Sequence, residues 1–519
     1  MYDPQASTPP SSLQVRPRGL STVQDLLDRL HRANLTYCHW KGNEHLDDAV
    51  AGRTDLDILV ERGRSADLQL ILAESGFRRF APQSARAHPG VEDYLAFDQP
   101  TGALVHLHLH YRLPLGQKHY SGHRLPWEIK LLATRVLDPC YGIYVTNPAL
   151  ELVVLLMRAA VKWRLRDQIL GRTPADLQRF KREFSWLRDR VDIDEVCRMS
   201  SALLGPSTEG PLRLLLADPE QPKRLRLFAR AVQPMLHRYR SYGPIVSPLL
   251  ASLREFQWLA DAINRRYLHL PIPLRRVSPR GGTVIALLGS DGSGKSSLGT
   301  ALTSWLGTKL DVMPVYFGSG DGPSSAIRLP LVLMRRLLTP ILNKEPSASP
   351  KHGEGAVLSD TSWRHAQRRI RAAALVPWAL ALSIEKRSKM RRMGRARNRG
   401  MIVVCDRFAQ ADIQGFNDGP LLAHWRGSRW RILRAVAAWE AKPHKETQLN
   451  PPDLVLKLNV TPEIALTRRP DMNLEEIRRR VQAVQSLRFP EMVKVVDIGA
   501  DAPFEEVVLA AKKLVWDHL

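Results

Sequence analysis

The rhythm of apolar and polar positions changes three times along the chain. Near the start, STVQDLLDRLHRAN (21–34) carries apolar residues at helical spacing. Short runs follow, among them DLDILV (55–60) and ALVHLHLHY (103–111), in which apolar and polar residues alternate with the period of strands. One helix mixed with such runs over residues 19–145 predicts an α+β domain. From 146 to 270 the pattern is helical. Asn147-Pro148 reads as an N-cap followed by Pro at the first helical position. ELVVLLMRAAVKW (151–163) and PLLASLREFQWLADAI (248–263) have the spacing of amphipathic or buried helices. The stretch HLPIPLRRVSPRGG, with its prolines, basic cluster and paired glycines, predicts a linker over 271–282. Beyond 283, the apolar runs TVIALLG, DVMPVYFG, MIVVCD, DLVLKLNV and VKVVDIG alternate with helical segments. That alternation predicts a doubly wound parallel α/β sheet over 283–519.

Composition bounds this picture. The apolar fraction of 44% and charged fraction of 25% are those of an ordinary globular chain, long enough at 519 residues for several cored domains. Residues 1–18 are polar and rich in Pro and Ser, with no apolar stretch of signal-peptide type, and read as a disordered tail. No apolar run reaches the length of a membrane span. AAALVPWALALSI (372–384) is too short, contains Pro377 and is flanked by arginines, so it reads as a buried helix. NKEPSASPKHGEGAVLSD (343–360) interrupts the α/β rhythm and reads as a mobile insertion. Four widely separated cysteines show neither disulfide nor metal spacing, which fits a reducing cytoplasm. The formal charge of +24 favours anionic partners, unless it is spread over solvated faces.

The most specific motif is Gly289-x-x-x-x-Gly294-Lys295-Ser296, set between an apolar strand and a helix. Glycines at such a turn let backbone N–H groups curl around phosphates, and the following helix adds its positive end. On this reading Gly289, Ser290, Gly292, Ser293, Gly294, Lys295, Ser296 and Ser297 form a phosphate grip for ATP. Lys295 reaches the terminal phosphates and the Ser296 hydroxyl ligates Mg²⁺. The strand MIVVC ends in Asp406-Arg407-Phe408. An acid at the carboxyl end of a parallel strand beside such a loop can organise Mg²⁺, and the Arg can hold a phosphoryl group. Alone, such a pair is more often a strand-end salt bridge than a site; beside the phosphate loop it reads as a site. Further on, Asn473 and Glu476 suggest a capping box for a helix bearing Arg478, Arg479 and Arg480. With Arg468 and Arg469 these suggest a basic lid over transferring phosphates, or an ordinary solvated face.

GSDGSGKSS, the later DRF, then PPDLVLKLNVTPEIALTRR and the Arg-rich segment resemble the thymidylate kinase family over about residues 283–519. The resemblance implies a nucleoside-monophosphate-kinase fold that binds ATP and Mg²⁺ and closes an Arg lid over a phosphate acceptor. It implies that Asp291 faces the acceptor, that Asp406 and Arg407 match the family's Asp-Arg-Tyr element, and that Arg387 (or Lys386) contacts the acceptor phosphate. The family's Arg-Glu-Pro-Gly segment is missing. VYFGSGDGPSSAIR stands in its place, so the acceptor pocket is expected to be rebuilt.

In the front half, Lys41-Gly42-Asn43 precedes Asp55-Leu-Asp57, whose carboxylates share one strand face. Two carboxylates so spaced can hold metal ions for attack on a nucleotide α-phosphate. Over about residues 30–115 this resembles the nucleotidyltransferase superfamily, and a third carboxylate is then implied where Leu107-His108-Leu109-His110 carries His108. His106, His108 and His110 share a face, and two of them could ligate a metal. The basic run RSKMRRMGRARNRG (387–400) has no interleaved aromatics, so no specific nucleic-acid partner is expected, and peripheral contact with an anionic membrane is left open.

The expectation is an ATP- and Mg²⁺-dependent kinase acting on a small, thymidylate-like phosphate acceptor, with room for a homodimer. Two alternatives stand beside it. One is nucleotidyl transfer by the front domain. The other is an ATP-binding regulator or scaffold without turnover.

Overall fold

The computed structural model describes residues 19–83, 87–117, 120–162, 177–219, 221–268, 270–318, 356–410 and 420–519. The chain divides into two compact units, Met1–His269 and Leu270–Leu519. The expected tail (1–18), most of the Gly-rich run after Gly318 and the expected insertion up to 355 lie outside the described residues.

In the first unit, β1 (Tyr37–His39), β2 (Leu56–Val60), β3 (Arg78–Pro82), β4 (Val91–Asp98), β5 (Ala103–His110), β8 (Val136–Leu137) and β9 (Tyr144–Val145) are ordered β3-β4-β5-β2-β1-β9-β8. β6 (Leu113–Gln117) and β7 (Tyr120–Leu125) form a separate antiparallel pair. β2 runs parallel to β5, and β4 antiparallel to it. Strand alternation sends side chains to two cores. Tyr37, Leu56, Ile58 and Leu107 pack with Leu26, Leu27 and Leu30 of the helix Ser21–Arg32. Cys38, Trp40 and Leu59 pack instead with the almost wholly apolar helix Pro148–Lys162. That helix starts as its sequence suggests: Asn147 Oδ1 accepts from the Ala149 N–H at 2.9 Å. The last long helix of the unit, Val246–Ile263, differs from expectation. It has no buried residue, and Leu249, Leu253 and Phe256 are exposed.

In the second unit the short β10 (Arg276–Val277) precedes a five-stranded sheet of β11 (Val284–Gly289), β12 (Val312–Tyr316), β13 (Ile402–Asp406), β14 (Leu454–Asn459) and β15 (Lys494–Gly499). The order is β12-β13-β11-β14-β15, and every pairing is parallel. β11 is central because its side chains are buried on both faces. The strand order reverses around it, so a crevice opens at the carboxyl ends of β11 and β13. The expected buried helix at 372–384 is part of one helix, Ala356–Asn398, which continues through Pro377. Residues 356–360, expected in the insertion, are its first turns.

Gly282 enters this sheet under tight constraint. A Cβ there would overlap the backbone oxygen of Met401, whereas a Cβ on Gly307, in the helix Lys295–Gly307, would meet nothing within 4 Å. Gly282→Ala is therefore expected to lower the melting temperature, at a cost of about 1–3 kcal/mol. Gly307→Ala should leave it unchanged or raise it by the equivalent of about 0.4–1 kcal/mol. Thermal and chemical unfolding of the two variants checks the contrast.

Candidate functional site

The apolar strand β11 ends at Gly289, and the helix Lys295–Gly307 begins six residues later. The loop between them requires its glycines. Gly292 and Gly294 have φ of 81° and 86°, a region that L side chains avoid. A Cβ on Gly292 would also lie 2.8 Å from the Ala465 oxygen, and one on Gly289 would overlap the Ser293 hydroxyl. Ser290 and Ser293 are buried, while Ser296 and Ser297 are exposed. Lys295 is only 7% exposed, and its Nζ donates to the Ser290 carbonyl at 2.6 Å. Burial, helped by the Arg407 charge, pushes this ammonium down to about 8 against the pull of Asp291 and Asp406.

Asp406 stands beside this loop because β11 and β13 pair with Leu287 opposite it. The Ser296 hydroxyl donates to Asp406 Oδ2 at 2.6 Å, and Asp406 Oδ1 is buried without a hydrogen-bond partner among the described residues. A hydroxyl and a carboxylate with an orphaned oxygen form a donor set that fits a hard divalent cation such as Mg²⁺.

Asp291 is the electrostatic centre of the loop. Arg407 Nη2 lies 3.3 Å from its Oδ1, and Arg480 pairs with its Oδ2. Burial raises the Asp291 carboxyl, but Lys295, Arg480 and Arg407 together hold it below its ordinary value. Arg407 is one of two non-glycine residues with positive φ among the described residues, at 65°. Such backbone costs energy and persists where the surroundings over-determine it.

The basic residues resolve unequally. Arg468 reaches the loop and donates to the Gly292 carbonyl at 3.2 Å. Arg469 pairs with Asp471 instead, at 2.9 Å. Arg387 pairs with Glu446 at 3.1 Å, and its neighbour Lys386 is buried. Of Arg478, Arg479 and Arg480, only Arg480 bonds Asp291, while Arg478 lies 3.8 Å from Glu463. The capping box is formed by half. Asn473 caps the Glu475 N–H at 2.9 Å, but the Glu476 carboxylate turns to Arg480. One turn of helix separates Glu476 from Arg480, and that spacing was the available clue. A cavity of about 410 Å³ starts one residue beyond Arg407, lined by Phe408, Gln410, Thr447, Gln448, Arg488 and Phe489.

A second cluster lies in the first unit. Gly42, at φ 70°, turns the chain so that Asn43 is buried, and its N–H and Nδ2 donate to Glu151 at 3.1 and 2.7 Å. Burial pushes the Glu151 carboxyl up to about 7 in spite of these bonds. Lys41, on the same turn, lies 3.0 Å from Asp57. The three histidines share a face, as their spacing implies. His106 contacts Asp55 at 2.7 Å and Asp93 at 2.8 Å, and His110 contacts Asp57 at 3.1 Å. His108 stands between Asp57 at 3.3 Å and Asp93 at 3.1 Å. Burial opposes the charge on His108, yet bonds to the two carboxylates push it up to about 9. Burial holds His110 down at about 4. Sequence reasoning put a histidine where a third carboxylate was implied and missed Asp93. This residue supplies a third carboxylate from β4, directly opposite His108 in the β4–β5 register.

Compared with known families, the chain matches no family model. It is similar to the uncharacterised ATP-binding protein YghR of Escherichia coli K12, at 29% identity over 237 residues, which is 45% of this chain and 86% of that protein. The uncharacterised ATP-binding protein YghS of the same strain is 24% identical over 241 residues, 45% of this chain and 92% of that protein.

The positive φ of Arg407 separates backbone strain from side-chain chemistry. Both Arg407→Ala and Arg407→Gly remove the guanidinium from Asp291, but only glycine relaxes the backbone. The glycine variant should be more stable than the alanine variant by about 1 kcal/mol in chemical unfolding. Equal stabilities would mean that the left-handed conformation stores nothing.

Proposed function

We propose that the second unit binds ATP with Mg²⁺ and transfers its γ-phosphoryl group to a small acceptor, a thymidylate-like nucleoside monophosphate or a related compound. The observation that carries this reading is the convergence of Lys295, Ser296, Asp406, Asp291, Arg407 and Arg480 at the carboxyl ends of two adjacent parallel strands. The ATP-binding names of the two relatives support ATP as the nucleotide.

Each side chain then has a task. Lys295 exchanges the Ser290 carbonyl for phosphate oxygens, and the loop N–H groups cradle the same phosphates. Ser296 and Asp406 are the residues to hold Mg²⁺, which when bound neutralises charge on the phosphates. Asp291 orients the acceptor, and Arg407 and Arg480 offset the charge that spreads over the phosphoryl oxygens in transfer. Arg468, held on the loop carbonyl of Gly292, belongs to the donor side. The acceptor oxygen forms the new P–O bond, the bond to the ADP leaving group breaks, and ADP departs with that electron pair. The cavity beside Phe408 is the candidate acceptor pocket. Its two aromatic rings and two carboxamides suit a flat polar group.

The test is transfer of label from γ-labelled ATP, with Mg²⁺, to thymidylate and then to a pool of small phosphorylated and hydroxylated metabolites. Transfer should fall at least about a hundredfold in Lys295→Ala and in Arg480→Ala. In Arg479→Ala, one position along the same helix, it should stay near the parent rate. Absence of any Lys295-dependent transfer to any acceptor would overturn the kinase reading.

A further inference from the structure

The kinase reading leaves the histidine–carboxylate cluster of the first unit without a task. Its geometry has more order than a charged patch requires. Three donors, from Asp55, His106 and His108, lie within 4.8 Å of one another. They come from the residue just before β2 and from β5, and the parallel pairing of these strands is fixed by Leu56 opposite Leu107 and Asp57 opposite His108. Sites built on adjacent strands hold their donors more rigidly than sites on loops.

The two ring nitrogens of each histidine face different partners. His106 and His108 both turn Nε2 to Asp93 Oδ1, at 2.8 and 3.1 Å. Nδ1 of His106 lies 2.7 Å from Asp55, and Nδ1 of His108 lies between Asp57 at 3.3 Å and Asp55 at 3.9 Å. A buried carboxylate that accepts from Nε2–H fixes the tautomer whose lone pair is on Nδ1. Asp93, 5% exposed, can do this for both rings at once. His106 is fully buried, whereas the Asp55 side chain is 38% exposed and opens the cluster to solvent.

We propose that Asp55, His106 Nδ1 and His108 Nδ1 bind one divalent transition-metal ion of the zinc class, with Asp93 as the carboxylate that orients both imidazoles. Two imidazoles and one carboxylate favour such an ion over Mg²⁺, which prefers an all-oxygen set. Three protein donors leave a coordination position for water or a substrate oxygen. The neighbouring group Asp57, His108 and His110 shares His108 with this site, so the two cannot be filled through the same nitrogen at once. Asp57 is contacted by Lys41 at 3.0 Å and His110 at 3.1 Å as well as by His108 Nδ1 at 3.3 Å, so the Lys41 ammonium competes with a cation there, which favours the Asp55 position.

The test uses the full chain, stripped with a chelator and titrated with Co²⁺, Zn²⁺ and Mg²⁺. One Co²⁺ per chain should bind with visible d–d bands, and Zn²⁺ should displace it while Mg²⁺ at a hundredfold excess should not. The bands should vanish in His106→Ala and in Asp55→Asn. Their affinity should fall by about ten- to a hundredfold in Asp93→Asn. They should persist in Lys295→Ala and in Cys140→Ser, which excludes the phosphate loop and the exposed thiol. Asp55→Asn changes a partly exposed side chain by one atom type, and circular dichroism of the variant is the check that the fold is kept. No stoichiometric Co²⁺ binding, or bands that survive in a folded Asp55→Asn protein, would overturn the proposal.

Discussion

A primary ammonium, buried to 7% exposure at the start of the helix that follows the central strand, is the constraint around which the second unit is arranged. A cation taken out of water costs several kcal/mol unless it is well paired. Among the described residues, Lys295 has only the Ser290 carbonyl and, more distantly, the Ser293 hydroxyl as hydrogen-bond partners. Burial, with the Arg407 charge, lowers its pKa to about 8. Asp291, one of the two carboxylates that act on this ammonium, is held by Arg407 and Arg480. With Arg468 on the Gly292 carbonyl, the loop is surrounded by more cations than carboxylates. An anion of phosphate type would offset that imbalance. The glycine conformations, the parallel register that brings Asp406 to Ser296, and the left-handed backbone at Arg407 all serve the same few ångströms.

Much of this was legible in the sequence because it depends on local pattern. Apolar runs separated by helices specify a parallel sheet. The loop glycines sit where only glycine fits, and Asp406 follows directly from the end of its strand. What stayed hidden depends on orientation. Arg478, Arg479 and Arg480 are adjacent in sequence but point about 100° apart around a helix. Only the packing of Leu474–Ser486, through buried Ile477 and Val484, selects Arg480. The same packing turns Glu476 away from the cap and toward Arg480. For Arg387, the resemblance implied an acceptor contact, and the structure adds an ion pair with Glu446 that the sequence did not indicate.

The first unit shows the same division between pattern and register. Period-two spacing put His106, His108 and His110 on one face without knowledge of their partners. Asp93 could not be identified that way, because it lies on another strand and meets His108 only through the β4–β5 pairing. Its presence changes the chemistry that the cluster can support. Two imidazoles between Asp55 and Asp93 make an ordered donor set, where the sequence suggested a lost acid and two histidines able to ligate a metal but gave no partner to orient them. The turn that carries Lys41 is held by the same principle of buried polar pairing, here between Asn43 and Glu151.

The most direct measurement of the central claim is proton uptake on ATP binding. Calorimetric titration near pH 8.5 would be run in buffers of different ionisation enthalpy. In the free protein Lys295, depressed to about 8, is then mostly neutral. Phosphate beside the ammonium favours its charged form, so binding must return a proton. Affinity must likewise weaken as pH rises past that value. The expected result is uptake of a large fraction of one proton per ATP, lost in Lys295→Met. Buffer-independent heats, or an unchanged ATP affinity in Lys295→Met, would contradict the account.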